Sequence, residues 1–196
     1  MRTSFADISA RSVQTRTEDS RLELFLIGGS GPTRVIANYQ AITGRPPALP
    51  LWSYGIWMSR MSYFSATEVE SVADRLRSEG YPCDVLHVDT GWFKKDWVCD
   101  WEFCPERFPD PERFMKRLRS KGFRITLWQT PNIGKENPLY QYAREKRYIP
   151  SDGSENEQFL SDFSGQDFGG QIDFTNPEAE EWYRGKIKNV LRRGAA

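Results

Sequence analysis

The chain has 196 residues, and its 27 Lys and Arg side chains balance its 27 Asp and Glu side chains. This length is enough for one domain or most of one, and the zero net charge without a basic stripe argues against nucleic acid as a partner. No run is long and apolar enough to predict a membrane-spanning helix. Seven Trp, eight Tyr and twelve Phe residues suit core packing first and stacking on sugar rings second.

The cysteines and the histidine are too few and too scattered to predict a metal site. Cys83, Cys99 and Cys104 form no Cys-x-x-Cys pair, and His87 is the single histidine. Because zinc ligands cluster more closely in sequence, we predict reduced structural thiols and a core histidine. The first twenty residues are polar and have no apolar secretory segment, which favours a cytoplasmic location.

The first part of the chain predicts the end of a β domain followed by a helix. Residues 1–27 show no helical periodicity, and Arg21–Ile27 has the apolar character of a strand. A Gly-rich break precedes Pro32, which fits the first turn of a helix. Gly44 ends that helix, and a stiff linker up to Pro50 marks a domain boundary. The apolar face of this helix comprises Val35, Ile36, Tyr39 and Ile42.

A first βα unit follows the linker. Trp52–Met58 predicts a buried strand. Ser65 and Glu68 form a capping box, in which the hydroxyl bonds forward into a helix and the carboxylate bonds back to its start. Gly80 is expected to end this helix. Its predicted inward face comprises Val69, Val72, Ala73 and Leu76.

The second unit contains Asp84–Trp92, the stretch around which we expect the function to be organised. Val85, Leu86 and Val88 predict a strand buried on both faces, as in a parallel sheet. Asp89 follows at the C-terminal end of this strand, where the βα loops of parallel barrels build active sites. The alternative interpretation is that Asp89 caps the next turn, and the local sequence leaves both open.

The third unit opens with Asp110 and Pro111, a polar cap before a proline in the first helical turn. Gly122 is expected to end this helix, and Arg124–Gln129 predicts the third strand. The predicted inward face of the helix comprises Phe114, Met115 and Leu118.

The rest of the chain predicts two more helices around a long polar loop. Asn137-Pro138 and Asn176-Pro177 open these helices with the same pairing of polar cap and proline. Residues 151–170 are too long for a routine connection, which predicts a functional or mobile loop, and residues 171–175 form a short extended piece. The predicted inward faces comprise Leu139, Tyr142 and Ala143 in the first helix and Trp182, Ile187, Val190 and Leu191 in the second.

Strand and helix alternate three times, which predicts a parallel sheet covered by helices. Three strands neither close a barrel nor cover their own edges. A (β/α)8 barrel of roughly 250 residues would need about five more units. We therefore predict an α/β fold that is the first part of such a barrel, cut off in mid-domain.

The C-terminal ends of the three strands form one mouth of carboxylate, aromatic and amide groups. Carboxylates accept hydrogen bonds from sugar hydroxyls, and indole faces pack on the apolar side of a sugar ring. Hydrolysis of a glycoside normally uses two facing carboxylates, and Asp89 is the one strand-end acid, so the chain alone fails this requirement. The mouth is predicted to comprise Ser59, Arg60, Met61, Tyr63, Phe64, Asp89, Thr90, Trp92, Lys94, Lys95, Asp96, Trp97, Trp128, Gln129, Thr130 and Asn132.

Seven runs of the sequence share the order and spacing of a known family. They are Thr43–Trp57, His87–Trp92, Cys99–Phe103, Arg107–Pro111, Lys121–Trp128, Pro131–Gly134 and Asp173–Pro177. Each run alone is weak, but together they specifically resemble glycoside hydrolase family 31, and the resemblance extends from about Arg21 to the end of the chain. It is strongest toward the α-xylosidase branch, with α-glucosidases as near relatives.

The resemblance implies a partial (β/α)8 TIM barrel preceded by the tail of a β-sandwich domain. Residues 1–31 would then end the sandwich, residues 32–50 would form a connecting helix and linker, and residues 51–196 would begin a truncated catalytic barrel. It implies retaining hydrolysis of α-linked xylosides or glucosides without a cofactor or a metal. We expect no nucleic-acid or membrane partner, and oligomers remain open for a full-length enzyme.

The resemblance also assigns roles to single residues. Asp89 matches an acid that binds sugar hydroxyls in the −1 subsite, and Trp128 matches an aromatic residue of the same pocket. Trp92 and Trp97 fall in the loop that walls this pocket. Either Tyr63 or Phe64 is expected to shape the neighbouring subsite.

The bond-breaking chemistry is expected to lie elsewhere. The nucleophile and the acid/base of the family would both follow Ala196, so we predict no catalytic residue in this chain and no activity for it alone. The leading hypothesis is a fragment of an α-xylosidase-like hydrolase. The alternatives are a catalytically inactive sugar-binding module and a non-enzymatic βα domain.

Overall fold

In a computed structural model of the chain, the described residues are 2–5, 11, 13–16, 20–149 and 170–196. The chain divides into two compact units, Met1–Ala48 and Leu49–Ala196. The polar loop predicted at residues 151–170 lies outside the described residues, apart from Gly170.

The first unit begins with a β-hairpin in which β1 (Arg2–Phe5) and β2 (Val13–Arg16) pair antiparallel. The strand predicted at Arg21–Ile27 is wrong, because residues 21–29 form no strand. Apolar side chains favour a strand only where a neighbouring strand pairs with its backbone groups. In this segment Leu22, Leu24, Phe25 and Leu26 are between 62% and 89% exposed.

Helix α1 (Pro32–Thr43) begins and ends where the sequence predicts. Gly44 has a φ of 90°, a left-handed conformation that favours glycine, and its N–H donates to the carbonyl of Gln40 across 2.9 Å. The apolar face predicted for this helix is not buried within the first unit. Its residues Ile36, Tyr39 and Ile42 are each more than half exposed.

The second unit is built on a three-stranded parallel sheet in the order β3-β4-β5. Its strands are β3 (Trp57–Ser59), β4 (Val85–Val88) and β5 (Arg124–Leu127). Helix α2 (Ala66–Ser78) joins β3 to β4, and helix α3 (Pro111–Ser120) joins β4 to β5. The predicted βα alternation and the partial, unclosed barrel are therefore confirmed.

The first strand of this sheet is shorter and more exposed than predicted. Residues Leu51–Tyr54 form a 3-10 turn, so the strand covers only Trp57–Ser59. Because β3 has a single neighbouring strand, burial on both faces does not follow from its apolar sequence. The side chain of Trp57 is 45% exposed.

Polar caps fix the helix starts of the second unit. The hydroxyl of Ser65 accepts a hydrogen bond from the N–H of Glu68 across 3.1 Å, as predicted. The carboxylate of Glu68 reaches one residue further back than expected and accepts from the N–H of Phe64 across 2.9 Å. Asp110 accepts from the N–H of Arg113 across 3.0 Å, which confirms the start of α3.

The remaining elements follow β5. A short antiparallel pair joins β6 (Asn132–Ile133) to β7 (Gly170–Gln171). Helix α4 (Tyr140–Glu145) begins two residues later than predicted, and α5 (Pro177–Arg192) begins at its expected proline. The shift of α4 turns Tyr140 inward at 9% exposed and leaves Tyr142 outward at 42% exposed, which corrects the predicted inward face.

The core of the second unit lies between the sheet and helices α2 and α3. Of the predicted inward residues, Val69, Ala73, Phe114, Met115 and Leu118 are at most 1% exposed. Val72 and Leu76 are only partly buried against this core. Burying each such aliphatic or aromatic side chain contributes about 1.5–3 kcal/mol. Among the described residues, no helix combines the length and the apolar character needed to cross a membrane.

Candidate functional site

The register of β4 and β5 brings Asp89 and Trp128 side by side. Val88 pairs with Leu127, and the N–H of Trp128 donates to the carbonyl of Val88 across 2.8 Å. Side chains alternate between the two faces of a strand, so Asp89 and Trp128, one position further on, share a face. Both are half-buried at the C-terminal ends of their strands.

A polar pair lies one layer below Asp89 and Trp128 on the same face. The Nδ1 atom of His87 and the hydroxyl of Thr126 are 2.9 Å apart. Burial lowers the pKa of His87 from its ordinary value, and the nearby carboxylate of Asp89 opposes this shift. His87 is thus a hydrogen-bonded, half-buried residue at the floor of the mouth, as the sequence predicts for a core histidine.

The Asp89 carboxylate caps the turn that follows it, and this was the alternative left open by the sequence. Its Oδ1 atom accepts from the N–H of Thr90 across 2.7 Å and starts the 3-10 turn Thr90–Trp92. Among the described residues, this is the one hydrogen bond to that carboxylate. Capping and ligand binding are compatible, because a carboxylate has two oxygens and about four acceptor positions.

Trp92 does not lie on the surface of the mouth. It is 1% exposed, and its indole N–H donates to the carbonyl of Trp128 across 2.9 Å. Its ring packs against Phe93 and Phe103, with centroid distances of 4.3 and 4.8 Å. The pocket-wall position expected for Trp92 is therefore not observed, because the loop folds its ring into the core.

Trp97 stands against Trp128 with perpendicular rings, at a centroid distance of 5.5 Å and an interplanar angle of 75°. Both side chains are half-buried, and together these two indoles form an aromatic wall, of which Trp128 is the member next to Asp89. The backbone of Trp97 has a φ of 67°, in the left-handed region that side chains with a Cβ rarely adopt. Strained backbone of this kind clusters at functional sites.

Two other predicted members of the mouth, Gln129 and Tyr63, do not face it. Gln129 lies on the opposite face from Trp128, and its Oε1 atom accepts from the indole N–H of Trp101 at 2.9 Å and the hydroxyl of Tyr183 at 3.3 Å. Tyr63 is fully buried, so it cannot line a neighbouring subsite in this structure. Phe64, at 49% exposed, is the member of that pair that reaches the surface.

Asn137 has a role beyond the helix cap that its sequence predicts. This residue is 4% exposed, and its Nδ2 atom donates to the carbonyl of Cys99 across 2.7 Å. Cys99 belongs to the same loop as Trp97 and follows it by two residues. On the N-terminal side of Trp97, Lys95 of this loop forms an ion pair with Glu136. A contact across such sequence distance leaves no periodic or motif signal in a single sequence.

The buried loop after β4 also shifts two titrating groups. Burial raises the pKa of the Cys99 thiol to about 12 and raises the pKa of Asp100. In the part of the chain that the structure describes, no group of three His, Cys, Asp or Glu side chains could hold a metal ion.

The active sites of βα-barrel enzymes lie at the C-terminal ends of the strands, which is where Asp89 and Trp128 are found. Over residues 46–195, the sequence matches the model of the Glycosyl hydrolases family 31 TIM-barrel domain. The chain therefore belongs to glycosyl hydrolase family 31, as its sequence motifs indicate.

Curated relatives of the chain include α-xylosidases and α-glucosidases. An α-xylosidase of Emericella nidulans is 32% identical over 186 residues, covering 93% of this chain and 23% of that enzyme. The α-xylosidase XylQ of Lactiplantibacillus pentosus is 34% identical over 184 residues, covering 93% and 24%. The human neutral α-glucosidase C is 28% identical over 184 residues, covering 89% and 19%. The chain thus spans at most about a quarter of these relatives.

Solved structures confirm the barrel fold. The chain is similar to a family 31 dextranase of Flavobacterium johnsoniae complexed with glucose, with a TM-score of 0.70 and 25% identity over 85% of this chain and 20% of that chain. An α-xylosidase from a soil metagenome, complexed with xylose, gives a TM-score of 0.70 and 24% identity over 85% of this chain and 24% of that chain.

Proposed function

We propose that this chain supplies the sugar-binding part of a retaining α-glycosidase of the α-xylosidase or α-glucosidase type. The observation that carries the proposal is the placement of Asp89 beside Trp128 at the C-terminal ends of β4 and β5. Family membership and the names of the relatives support the choice of an α-linked xyloside or glucoside as substrate.

Asp89, Trp128 and Trp97 are proposed to hold the sugar in complementary ways. The free acceptor positions of the Asp89 carboxylate would accept hydrogen bonds from ring hydroxyls, each worth about 1.5–3 kcal/mol because one partner is charged. The two indoles would pack on the apolar side of the ring. Trp92 is proposed to act indirectly, by holding the backbone of Trp128 through its hydrogen bond.

Binding without turnover is the expected behaviour of this arrangement. Retaining hydrolysis uses two carboxylates about 5–5.5 Å apart. Among the described residues, Asp89 is the one carboxylate at a strand end of the sheet, while Asp96 and Asp100 lie in the loop that follows. We propose that a nucleophile and an acid/base from outside these residues complete the reaction.

We also propose a domain boundary near the linker and a cytoplasmic location. The family match begins at residue 46, and the first compact unit ends at Ala48, which supports a boundary near the linker of residues 32–50. We propose that residues 1–31 end a β-sandwich and that residues 51–196 form the barrel part. Three unpaired cysteines support a reducing, cytoplasmic location.

The proposed function is tested by saturation-transfer NMR, which measures the binding of an aryl α-xyloside and an aryl α-glucoside to the chain. We expect binding of one or both sugars, weakened about tenfold or more by Asp89→Asn. Asp74→Asn is the control, since this exposed acid lies on α2 in an ion pair with Lys121. If Asp89→Asn binds as well as the folded wild type, the proposed site is wrong.

Two other functions from different classes give different results in the same samples. An inactive sugar-binding module predicts binding that needs no further carboxylates and no turnover in any longer form of the protein. A non-enzymatic βα domain predicts no saturation transfer to either sugar. Turnover by this chain alone, abolished by Asp89→Ala, would contradict the view that it contributes binding only.

A further inference from the structure

The loop after β4 holds Trp97 in a left-handed backbone conformation, within a turn that the N–H of Val98 closes by donating to the carbonyl of Lys95 across 3.1 Å. A φ of 67° places this bulky residue in the left-handed region, where L side chains crowd the backbone. Such conformations persist only where surrounding contacts fix them. The contacts that fix this one therefore determine where the Trp97 ring stands.

Glu136 and Asn137, which are adjacent in sequence, contact the loop on either side of Trp97. Lys95 forms an exposed ion pair with Glu136, and the carbonyl of Cys99 accepts from the buried Nδ2 of Asn137 across 2.7 Å. The ion pair is solvent-screened and contributes little. The bond to Cys99 is buried, so we expect it to contribute more than the ion pair does.

A helix cap does not account for Asn137. Its Oδ1 atom accepts from the N–H of Leu139 across 3.0 Å, a local turn that Asp or Ser would serve equally well. The amide serves Leu139 as acceptor and Cys99 as donor at the same time, whereas an ionised carboxylate has no donor and a serine hydroxyl is shorter. The choice of an amide at this position is explained by the loop, which lies 38 residues away in sequence.

We propose that Asn137 is a positioning residue for the aromatic wall. By holding the carbonyl of Cys99, it keeps Trp97 perpendicular to Trp128 at 5.5 Å, and so it sets the affinity of the mouth for a sugar ring. This inference rests on the proposed function for its effect on sugar binding. The placement of Trp97 can be measured without any sugar.

Asn137→Asp is the decisive variant, because it keeps the shape and the acceptor for Leu139 but removes the donor to Cys99. Asn176→Asp is the matched control, since Asn176 also accepts locally, from the N–H of Glu178 across 3.0 Å, and lies at the start of α5. Two indoles at close range couple their transitions and produce a paired circular-dichroism band. Trp97→Phe identifies the share of this band that belongs to Trp97 and Trp128.

We expect Asn137→Asp to lose most of the band that Trp97→Phe removes, and Asn176→Asp to keep it. Sugar affinity should fall about fivefold or more in Asn137→Asp alone. When the pH falls below the pKa of the introduced carboxyl, which burial raises, the carboxyl becomes protonated and can donate again, so the band should return. If Asn137→Asp does not fold at neutral pH, Asn137→Ser replaces it, because its shorter hydroxyl serves the turn without reaching Cys99.

An unchanged dichroism band in a folded Asn137→Asp or Asn137→Ser variant would overturn the proposal. A lost band with unchanged sugar affinity would overturn its link to binding. A wild-type chain that binds no sugar would overturn the proposed function and that link together, while the band still decides whether Asn137 positions Trp97.

Discussion

Trp92 donates its indole N–H to the backbone carbonyl of Trp128 across 2.9 Å and so joins the loop after β4 to the end of β5. The donor is 1% exposed, whereas Trp128 is half-buried beside Asp89. One tryptophan therefore supports the backbone of another, and the second one faces the mouth. The two residues have the same side chain but different roles.

Replacing Trp92 by Phe should lower the free energy of unfolding, measured by urea titration. The variant keeps an aromatic ring but leaves the Trp128 carbonyl without its donor, which costs about 1–3 kcal/mol before any loss from the smaller ring. Trp57→Phe is the control, because Trp57 is 45% exposed and its indole N–H donates to the Ser53 carbonyl across 3.2 Å. Water can replace that bond, so equal losses in the two variants would contradict the buried role of Trp92.

Replacing Asp89 by Ala should damage sugar recognition more than replacing Trp97 by Ala. A charged hydrogen bond to a ring hydroxyl is worth about 1.5–3 kcal/mol, and it acts on the rate if it strengthens as the ring distorts. Trp97 packs on the wall, so its loss mainly weakens uniform binding.

The corresponding measurement is steady-state kinetics in a longer form of the enzyme that turns over an aryl α-glycoside. Circular dichroism first establishes that each variant folds. If Asp89→Ala keeps kcat/KM within about threefold of wild type, less than ~0.7 kcal/mol of transition-state stabilisation is lost. Asp89 would then be a structural cap alone.

His87 should titrate below the ordinary histidine pKa of 6.5, since burial lowers its pKa more than the Asp89 carboxylate raises it. It is the single histidine, so its ring proton signal in NMR is unambiguous. Asp89→Asn should lower the pKa further, because it removes the opposing charge. An unchanged His87 midpoint in Asp89→Asn would place the carboxylate away from the ring.

The lowered pKa of His87 has a defined effect on stability. The unfolded chain binds a proton more readily than the folded chain, so this residue destabilises the fold as pH falls through 6.5 toward the lower folded pKa. Above pH 6.5 the effect is absent. His87→Gln should remove this part of the acid sensitivity, seen as a smaller loss of unfolding free energy between about pH 7 and pH 5.

The three thiols should resist a disulfide reagent at pH 8 while the chain is folded. Cys83, Cys99 and Cys104 are at most 5% exposed, and burial raises the pKa of Cys99 to about 12, so it carries almost no thiolate. Opening a stable core costs about 5 kcal/mol or more. The reaction is therefore more than about a thousandfold slower than that of the chain unfolded in guanidinium. One thiol that reacts at the unfolded rate would contradict this packing.

Much of the fold was predictable because its signals are local. The caps at Ser65 and Asp110 and the glycines after α2 and α3 act over a few residues, and the structure confirms the helices they bound. The central strand β4 was predictable for a second reason. Its neighbours on both sides bury it, so its apolar run and its environment agree.

The predictions that are wrong depend on long-range pairing. Arg21–Ile27 has the composition of a strand but forms none in the part of the chain that the structure describes. Trp52–Met58 pairs with a neighbouring strand for only part of its length. In the site, residue type predicted aromatic and carboxylate groups near the strand ends. It did not predict that Trp92 folds inward, because the loop's path depends on contacts such as that between Asn137 and Cys99.

The exposed segment Leu22–Ile27 has a consequence for the behaviour of the protein in solution. Its apolar run contains one charge, Glu23, and Leu24, Phe25 and Leu26 are each at least 63% exposed. Six-residue stretches of high β-propensity and low charge stack into cross-β assemblies when they are accessible. A second copy of the chain can then pair with this segment, and Leu24→Lys would act as a gatekeeper against fibril formation.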